Sequence, residues 1–555
     1  MQNRIFSNRP TISWIVLVVI VSIYLAALNH LSYDEFSRCV GEGTEGAETI
    51  KYVLPCLFFL LFVITQTLFS FRYIFKPFLS IMLLLSGFIY YARSKYGVLF
   101  NTEMLENFLE TDVGEARSYI SVWSVSFVVL TGLLPALLIW YPKVRYPEGF
   151  AKGLIHRGVI FTVGICAFVG IALLNYNSIV VTVRNNHHLR YELLPHVAVI
   201  SAIRIAQDKF NSYTGDHPHQ YYAKDAKLIS TDKRPTIFVY LLGETARAAN
   251  YPQNGYSRNT TPYTDEFGDI IFFRDVATCG TSTKVSVPCM FSYKTREKID
   301  HDTVEYEDSL TDFIQNAGIK QAWLENDGGC KGVCNNIKLY KYYIESTVDQ
   351  GVLDKGQCNE ESCFDEVMLP DFEKTLKENS KESLVVYLHL KGSHGPTYFN
   401  RMPEKFKKYS PICNTSELAK CSTDEVMNTY DDTLIYTDYI IAEVRKILDR
   451  YQDTHNLGML YVSDHGESLG ENGLYLHGTP YYIAPDFQTH VPMQIWLNDN
   501  LLDERNLDKG CLLEQAKLTK THSHDNLFHS MLGILNISSE YYDQKLDLFA
   551  PCVKH

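Results

Sequence analysis

Five apolar runs, four of them long enough to cross a bilayer and the third somewhat shorter, fall within the first 180 of 555 residues. They are Ser13 to Asn29, Tyr52 to Phe71, Phe78 to Ala92, Val122 to Tyr141 and Gly158 to Asn175. A run of ~20 apolar residues spans lipid as a helix, because only a helix satisfies its own backbone there. The first third is therefore expected to be an α-helical membrane domain of five spans. Lys and Arg fix its orientation. Arg4 and Arg9 precede the first run, Arg72 and Lys76 fill the second turn, and Lys143, Arg145, Lys152 and Arg157 fill the fourth connection. These segments belong in the cytoplasm, which puts everything after about residue 176 outside. The first run lacks a small-residue cleavage site and further spans follow it, so it does not read as a removed signal peptide.

Cysteine usage tests this placement independently. Of 13 cysteines, ten lie in the outside part, an even number that suits an oxidising compartment. Close spacing pairs Cys279 with Cys289, Cys330 with Cys334, Cys358 with Cys363 and Cys413 with Cys421, and elimination leaves Cys511 for Cys552. A four-thiolate zinc site from Cys330, Cys334, Cys358 and Cys363 is the competing reading. Cys39, Cys56 and Cys166 lie in or near the membrane and are expected to be free. A net charge of -13 argues against a nucleic-acid partner.

The rest of the chain divides into a bridge and a globular part. Val183 to Phe210 starts polar and basic and becomes amphipathic, with a break at Pro195, which suits either an interfacial helix or an ordinary linker helix. Asn211 to Pro235 is a polar connection. The expected division is 1–180 for the membrane domain, 181–235 for the bridging helix and linker, and 236–555 for the globular domain. Short β-branched runs at 236–242, 383–390, 458–463 and 491–497 read as buried strands, and 429–451 reads as an amphipathic helix. That pattern predicts an α/β domain with a mostly parallel sheet, whose ligands sit beyond the carboxyl ends of the strands.

Chemistry-bearing residues collect at those ends. Glu244 follows the first strand, Asp464 and His465 follow another, His394 follows a third, and His477 lies one loop beyond Asp464. Together they offer oxygen and nitrogen donors suited to a divalent ion. Zinc held by Glu244, Asp464 and His465 would keep a fourth position for a hydroxyl, which loses its proton far more readily there. "TCGTSTKVSVPCMF", Thr278 to Phe291, supplies hydroxyls between two cysteines, and its residue types do not choose among Thr281, Ser282, Thr283 and Ser286. Backbone amides opening a helix there would also suit a phosphate oxygen.

"GETARAANYPQNGYSRNTTP", "CGTSTKVSVPCMFS", "HGPTY", "SDHGESLGENGLYLHGTPY" and "SHDNLFHSMLGIL" together resemble the phosphoethanolamine transferases that modify lipid A, a group that includes mobile colistin-resistance enzymes. That group belongs to the alkaline phosphatase and sulfatase superfamily. The resemblance implies Thr283 as the nucleophile and Glu244, Thr283, Asp464 and His465 as ligands of one zinc ion, with a second ion possible through His394 or His477. It implies His394, His477, Lys331 and Glu467 as pocket residues, the two histidines moving protons. In "EMLENFLETDVGEA" it implies Asn107, Thr111 and Glu115 as ethanolamine-end contacts, and their spacing of four puts them on one helical face. Around Asp327 and Gly328 the sequence departs from some members. His522, His524 and His529 fall in a matching motif and read as structural. The activity so implied is transfer of phosphoethanolamine from phosphatidylethanolamine to a lipid A phosphate, by a monomer in the inner membrane of a Gram-negative bacterium with its catalytic domain in the periplasm. Lower lipopolysaccharide charge, and with it polymyxin resistance, is the implied outcome. The alternatives are a relative acting on a core sugar, glycan or protein, a phosphoglycerol transferase, or a tethered zinc or lipid sensor without turnover.

Overall fold

The computed structural model describes residues 9–554 apart from 41–46, 111–118, 177, 178, 180, 181, 184–186, 215–217, 230, 231, 302, 344–355, 360 and 361. Two compact units result: Met1–Leu105 with Ile120–Ile205, and Glu106–Tyr119 with Ala206–His555.

In the first unit, three helices are long and apolar enough to cross a membrane alone: Thr49–Leu68, Phe75–Tyr96 and Phe150–Leu174. Trp14–Leu28 meets that criterion only together with His30–Cys39, from which it is bent by 52°. Val122–Leu138 is a shorter apolar helix with a π turn over Val129–Leu133. Among the described residues, length and composition thus give three spans, or four with the bent pair. The third apolar run is longer than its sequence suggests, because Arg93 and Lys95 ride in the last turn of Phe75–Tyr96, where long cationic side chains keep their heads at the membrane surface. Trp14, Leu17, Val21 and Leu25, at helical spacing, pack on Phe58, Phe62, Phe75 and Leu79, while Ile20 and Ile23 point outward. A Cβ on Gly87 would lie 2.6 Å from Gly132 Cα, so two backbones touch directly, as small residues permit between helices in lipid. The amphipathic stretch resolves into a short turn, His187–Tyr191, and a helix, His196–Thr214, that starts just after Pro195.

The second unit is built on eight strands: β1 (Thr236–Gly243), β2 (Ile271–Ala277), β3 (Lys320–Glu325), β4 (Leu339–Tyr342), β5 (Leu384–His389), β6 (Asn456–Ser463), β7 (His490–Leu497) and β8 (His522–Ser523). Their order across the sheet is β8-β2-β7-β6-β1-β5-β3-β4. All neighbours are parallel except β7, which runs antiparallel to both β2 and β6. Every residue of β1 is buried, and its side chains alternate between two cores. Phe238, Tyr240 and Leu242 join one; Ile237, Val239 and Leu241 join the other. That is why the strand reads as an uninterrupted apolar run. Helix Thr423–Asp449 covers the second face with Ile440, Ile441, Val444, Ile447 and Leu448, and Asp525–Ile534 covers the first with Leu527, Phe528, Met531 and Leu532. The long helix begins six residues before its sequence-predicted start, because Ser422 and Glu425 form a capping box that satisfies its first amides.

All five expected cysteine pairs are disulfides, so Cys330, Cys334, Cys358 and Cys363 form two bridges in place of a zinc knuckle. Cys39, Cys56 and Cys166 take no part in disulfides.

The central strands leave no slack. A Cβ on Gly458 in β6 would meet the Phe238 ring at 2.4 Å and Leu501 at 3.2 Å. Gly458→Ala should therefore destabilise the second unit by about 1–3 kcal/mol through overpacking, seen as a lower melting temperature of the full chain in detergent; an unchanged melt would mean that this pair of strands can spread.

Candidate active site

The segment Thr278–Phe291 leaves the end of β2, turns, and enters the helix Thr283–Met290. The Cys279–Cys289 bridge ties the turn to that helix, and closing so short a loop contributes about 3 kcal/mol in the chain-entropy account. Gly280 is required by space, since a Cβ there would lie 2.6 Å from Val285 Cγ1. The hydroxyls that the sequence left equivalent now differ. Thr281 donates to Thr479 O at 2.6 Å, anchoring the loop that carries His477. Ser282 stands at the N-cap without a side-chain capping bond. Ser286 donates to Asp464 O at 2.5 Å. Thr283 faces the donors: its Oγ1 lies 3.1 Å from Glu244 Oε2 and 3.4 Å from His465 Nε2.

Strand register brings those donors together. Gly243 of β1 pairs with Ser463 of β6, so Glu244 and Asp464 leave adjacent strands side by side. Glu244, Asp464 and His465 are buried, and one donor atom from each lies within 4.8 Å of the others. His465 Nδ1 donates to Gly466 O at 2.9 Å, which leaves the Nε2 lone pair directed inward, 3.3 Å from Asp464 Oδ2. Glu244 Oε1 and Asp464 Oδ2 are buried without hydrogen-bond partners. Burial, with the charges of Asp464 and Asp327, pushes Glu244 well above the usual carboxylate range. Two ionised carboxylates can share such a place only with a cation between them. The set of two carboxylates, one imidazole and one hydroxyl fits a divalent ion of the zinc type.

Around this cage sits a second layer. His477 Nδ1 donates to Glu467 Oε2 at 2.9 Å, and Tyr398 donates to Glu467 Oε1 at 2.7 Å. The His394 and His477 rings stand 5.8 Å apart, edge to face, and those of His465 and His477 are 4.3 Å apart. Burial, followed by the neighbouring Lys391, holds His394 well below the ordinary imidazole range, so it is uncharged near neutrality. Lys331 donates to Gly328 O at 3.0 Å and lines a cleft of about 290 Å³ with His219, Glu305, Asp308 and Asn335. Asn107 is part of the helix Thr102–Glu110, in a segment that belongs to the catalytic unit; Thr111 and Glu115 lie outside the described residues. His524 receives Cys279 N–H on Nδ1 and donates from Nε2 to Ser463 O; burial lowers it to about 4. It thus pins the cystine turn to the end of β6. His522 donates to Gln515 O and His529 receives Asp543 N–H.

Residues 236–537 match the family described as Sulfatase, and 57–210 match the family described as Phosphoethanolamine transferase EptA/EptB. Phosphoethanolamine transferase EptA of Escherichia coli strain K12 is 32% identical over 549 residues, covering 98% of both chains. This chain belongs to the EptA family of phosphoethanolamine transferases. Phosphatidylethanolamine transferase Mcr-1 of Escherichia coli is 34% identical, covering 97% of this chain and 98% of that one. Among solved structures, the integral membrane lipooligosaccharide phosphoethanolamine transferase A (EptA) of Neisseria meningitidis superposes with a TM-score of 0.90 at 34% identity, covering 98% of this chain and 100% of that one.

Two residues of this transferase's site, Tyr398 and Lys391, were given no role from the sequence, and Asp327 entered there only as a departure from some family members. Tyr398 is the tyrosine of "HGPTY", four residues from His394. Lys391 opens "KGSHGP" directly beyond β5, and a lysine at a strand end is a signal of the same kind as Glu244. Asp327 joins it only in three dimensions. Ser286→Ala should keep the metal content while lowering turnover of a fluorescent phosphatidylethanolamine roughly tenfold, because Asp464 loses its backbone anchor; parallel loss of metal would instead make Ser286 part of the cage.

Proposed function

We propose that the transferase moves phosphoethanolamine from phosphatidylethanolamine to a phosphate of lipid A through a phosphorylated Thr283. The observation that carries this is the approach of Thr283 Oγ1, at a helix N-terminus, to Glu244 and His465. The names of the relatives support the donor group, and lipooligosaccharide in the name of the Neisseria meningitidis protein supports the acceptor class. In this reading residues 1–180 form a five-span domain in the inner membrane, 181–235 bridge, and 236–555 catalyse in the periplasm.

Glu244, Thr283, Asp464 and His465 would hold one zinc ion. Its chemistry is to lower the pKa of the threonine hydroxyl and draw charge from phosphoryl oxygens. Thr283 Oγ1 then attacks the donor phosphorus, the bond to diacylglycerol breaks, and the departing alkoxide takes a proton. We assign that proton to His477, whose Nδ1–H is held by Glu467. In the second half an oxygen of the lipid A phosphate attacks the same phosphorus, the bond to Thr283 breaks, and the threonine oxygen is released. The helix N-terminus at Thr283 and the Lys331 ammonium receive the oxygens that gain charge. Each turnover adds a cationic amine to lipid A and lowers its net negative charge, so cationic peptides such as polymyxins bind less well. The resemblance assigns Asn107, Thr111 and Glu115 to the ethanolamine end of the donor.

Thr283→Ala should lower head-group transfer by on the order of a thousandfold or more, with no phosphoethanolamine adduct on lipid A by mass spectrometry and no covalent intermediate. A phosphoethanolamine adduct on another residue would overturn the assignment. Zinc removal with a chelator should abolish transfer and zinc return should restore it; full activity after verified removal would exclude a metal role.

A further inference from the structure

Beside the nucleophile's cage lies another group of buried donor atoms. Glu244, Asp327 and His389 each offer one, and these lie within 4.8 Å of one another. His389 Nδ1 donates to Glu325 Oε2 at 2.9 Å, and Glu325 is itself fixed by the Trp323 indole and by Asp327 N–H, both at 2.8 Å. A carboxylate behind an imidazole orients the ring and raises its basicity, as it does for metal-bound histidines. His389 Nε2, fully buried, has no hydrogen-bond partner and faces Asp327 Oδ2 at 3.9 Å. Glu244 Oε1 likewise lacks one. These are the features of a metal pocket.

An ammonium group stands against one member of this group. Lys391 Nζ lies 3.1 Å from Asp327 Oδ1, with the side chains only 8% and 4% exposed. The contact lacks hydrogen-bond geometry at that oxygen, so it is a charge contact. The backbone that delivers Lys391 is fixed: Asp365 accepts Lys391 N–H at 2.7 Å and Gly392 N–H at 3.1 Å. Gly392, at φ +49°, lets the turn pass so close to Glu244 that a Cβ would lie 2.8 Å from its carbonyl.

We propose that Lys391 is a built-in cation, its ammonium filling the place of a second divalent ion in a pocket formed by Glu244, Asp327 and His389. It is a positioning residue, acting on Thr283 through Glu244, and the inference rests on the reading of Glu244 as a metal ligand. Removing the ammonium while keeping the carboxylate should open the pocket to metal.

The full chain in detergent, equilibrated with zinc, freed of excess and measured by plasma mass spectrometry, tests this. Lys391→Met should bind one more zinc per chain than the unaltered protein, and Lys391→Met with Asp327→Asn should return to the unaltered count. Equal counts for Lys391→Met and the unaltered chain overturn the inference while leaving the metal reading intact. An unaltered chain that binds no zinc overturns the metal reading and this inference with it. If Lys391→Met does not fold, competition against a zinc chelator decides. Asp327→Asn alone leaves an uncompensated ammonium near Glu244 and should weaken zinc by on the order of tenfold, and the double substitution should restore it; equal affinities in the three proteins overturn the proposal.

Discussion

Glu244 and Asp464 repel each other, and much of the catalytic unit is arranged to keep them together. They leave β1 and β6 at adjacent register positions, buried, with one oxygen each lacking a hydrogen-bond partner. Bringing two carboxylates out of water is costly unless a cation compensates. The rigid sheet, apolar on both faces, provides the opposing term: neither strand can withdraw its last residue without disturbing two cores. Repulsion held in this way would favour a divalent ion, and an ion so placed would make a nearby hydroxyl acidic.

The elements that present the nucleophile are small and braced. A helix of eight residues has little stability of its own, and Thr283–Met290 carries Pro288 inside it. Cross-links compensate. The Cys279–Cys289 bridge closes the nucleophile segment on itself, the Ser286 bond to Asp464 O and the His524 bonds to the turn and to Ser463 fasten it to the end of β6, and the Thr281 bond to Thr479 O fastens it to the loop of His477. The many hydroxyls of this stretch thereby find separate uses, one chemical and two mechanical.

Strands were legible in the sequence where both of their faces are buried. β1, β5, β6 and β7 read as apolar runs because alternate side chains serve two cores. The rest were hidden for physical reasons: β2 alternates buried Phe273 with exposed Arg274, β3 opens on Lys320, and β8 has two residues. The chemistry was legible as strand-end Glu, Asp and His, and the choice of Thr283 needed the resemblance, because Thr281, Ser282 and Ser286 carry equally good hydroxyls. The Asp327–Lys391 contact was not legible, since those residues approach only when β3 and β5 lie side by side. The membrane spans show the reverse limit. Composition marks apolar runs well but says nothing of the bend after Leu28 or the π turn at Val129–Leu133.

The helix Phe150–Leu174 has 25 residues, and only 6% of its apolar window is buried within the protein. At 1.5 Å per residue it measures about 38 Å, longer than the ~30 Å hydrocarbon layer of an ordinary bilayer. Apart from its packing along Thr49–Leu68, most of its surface is left to the surrounding acyl chains, which act on its inclination. Reconstitution into lipids of graded chain length would therefore act on this segment, and a dependence of turnover on bilayer thickness would have its mechanical origin there.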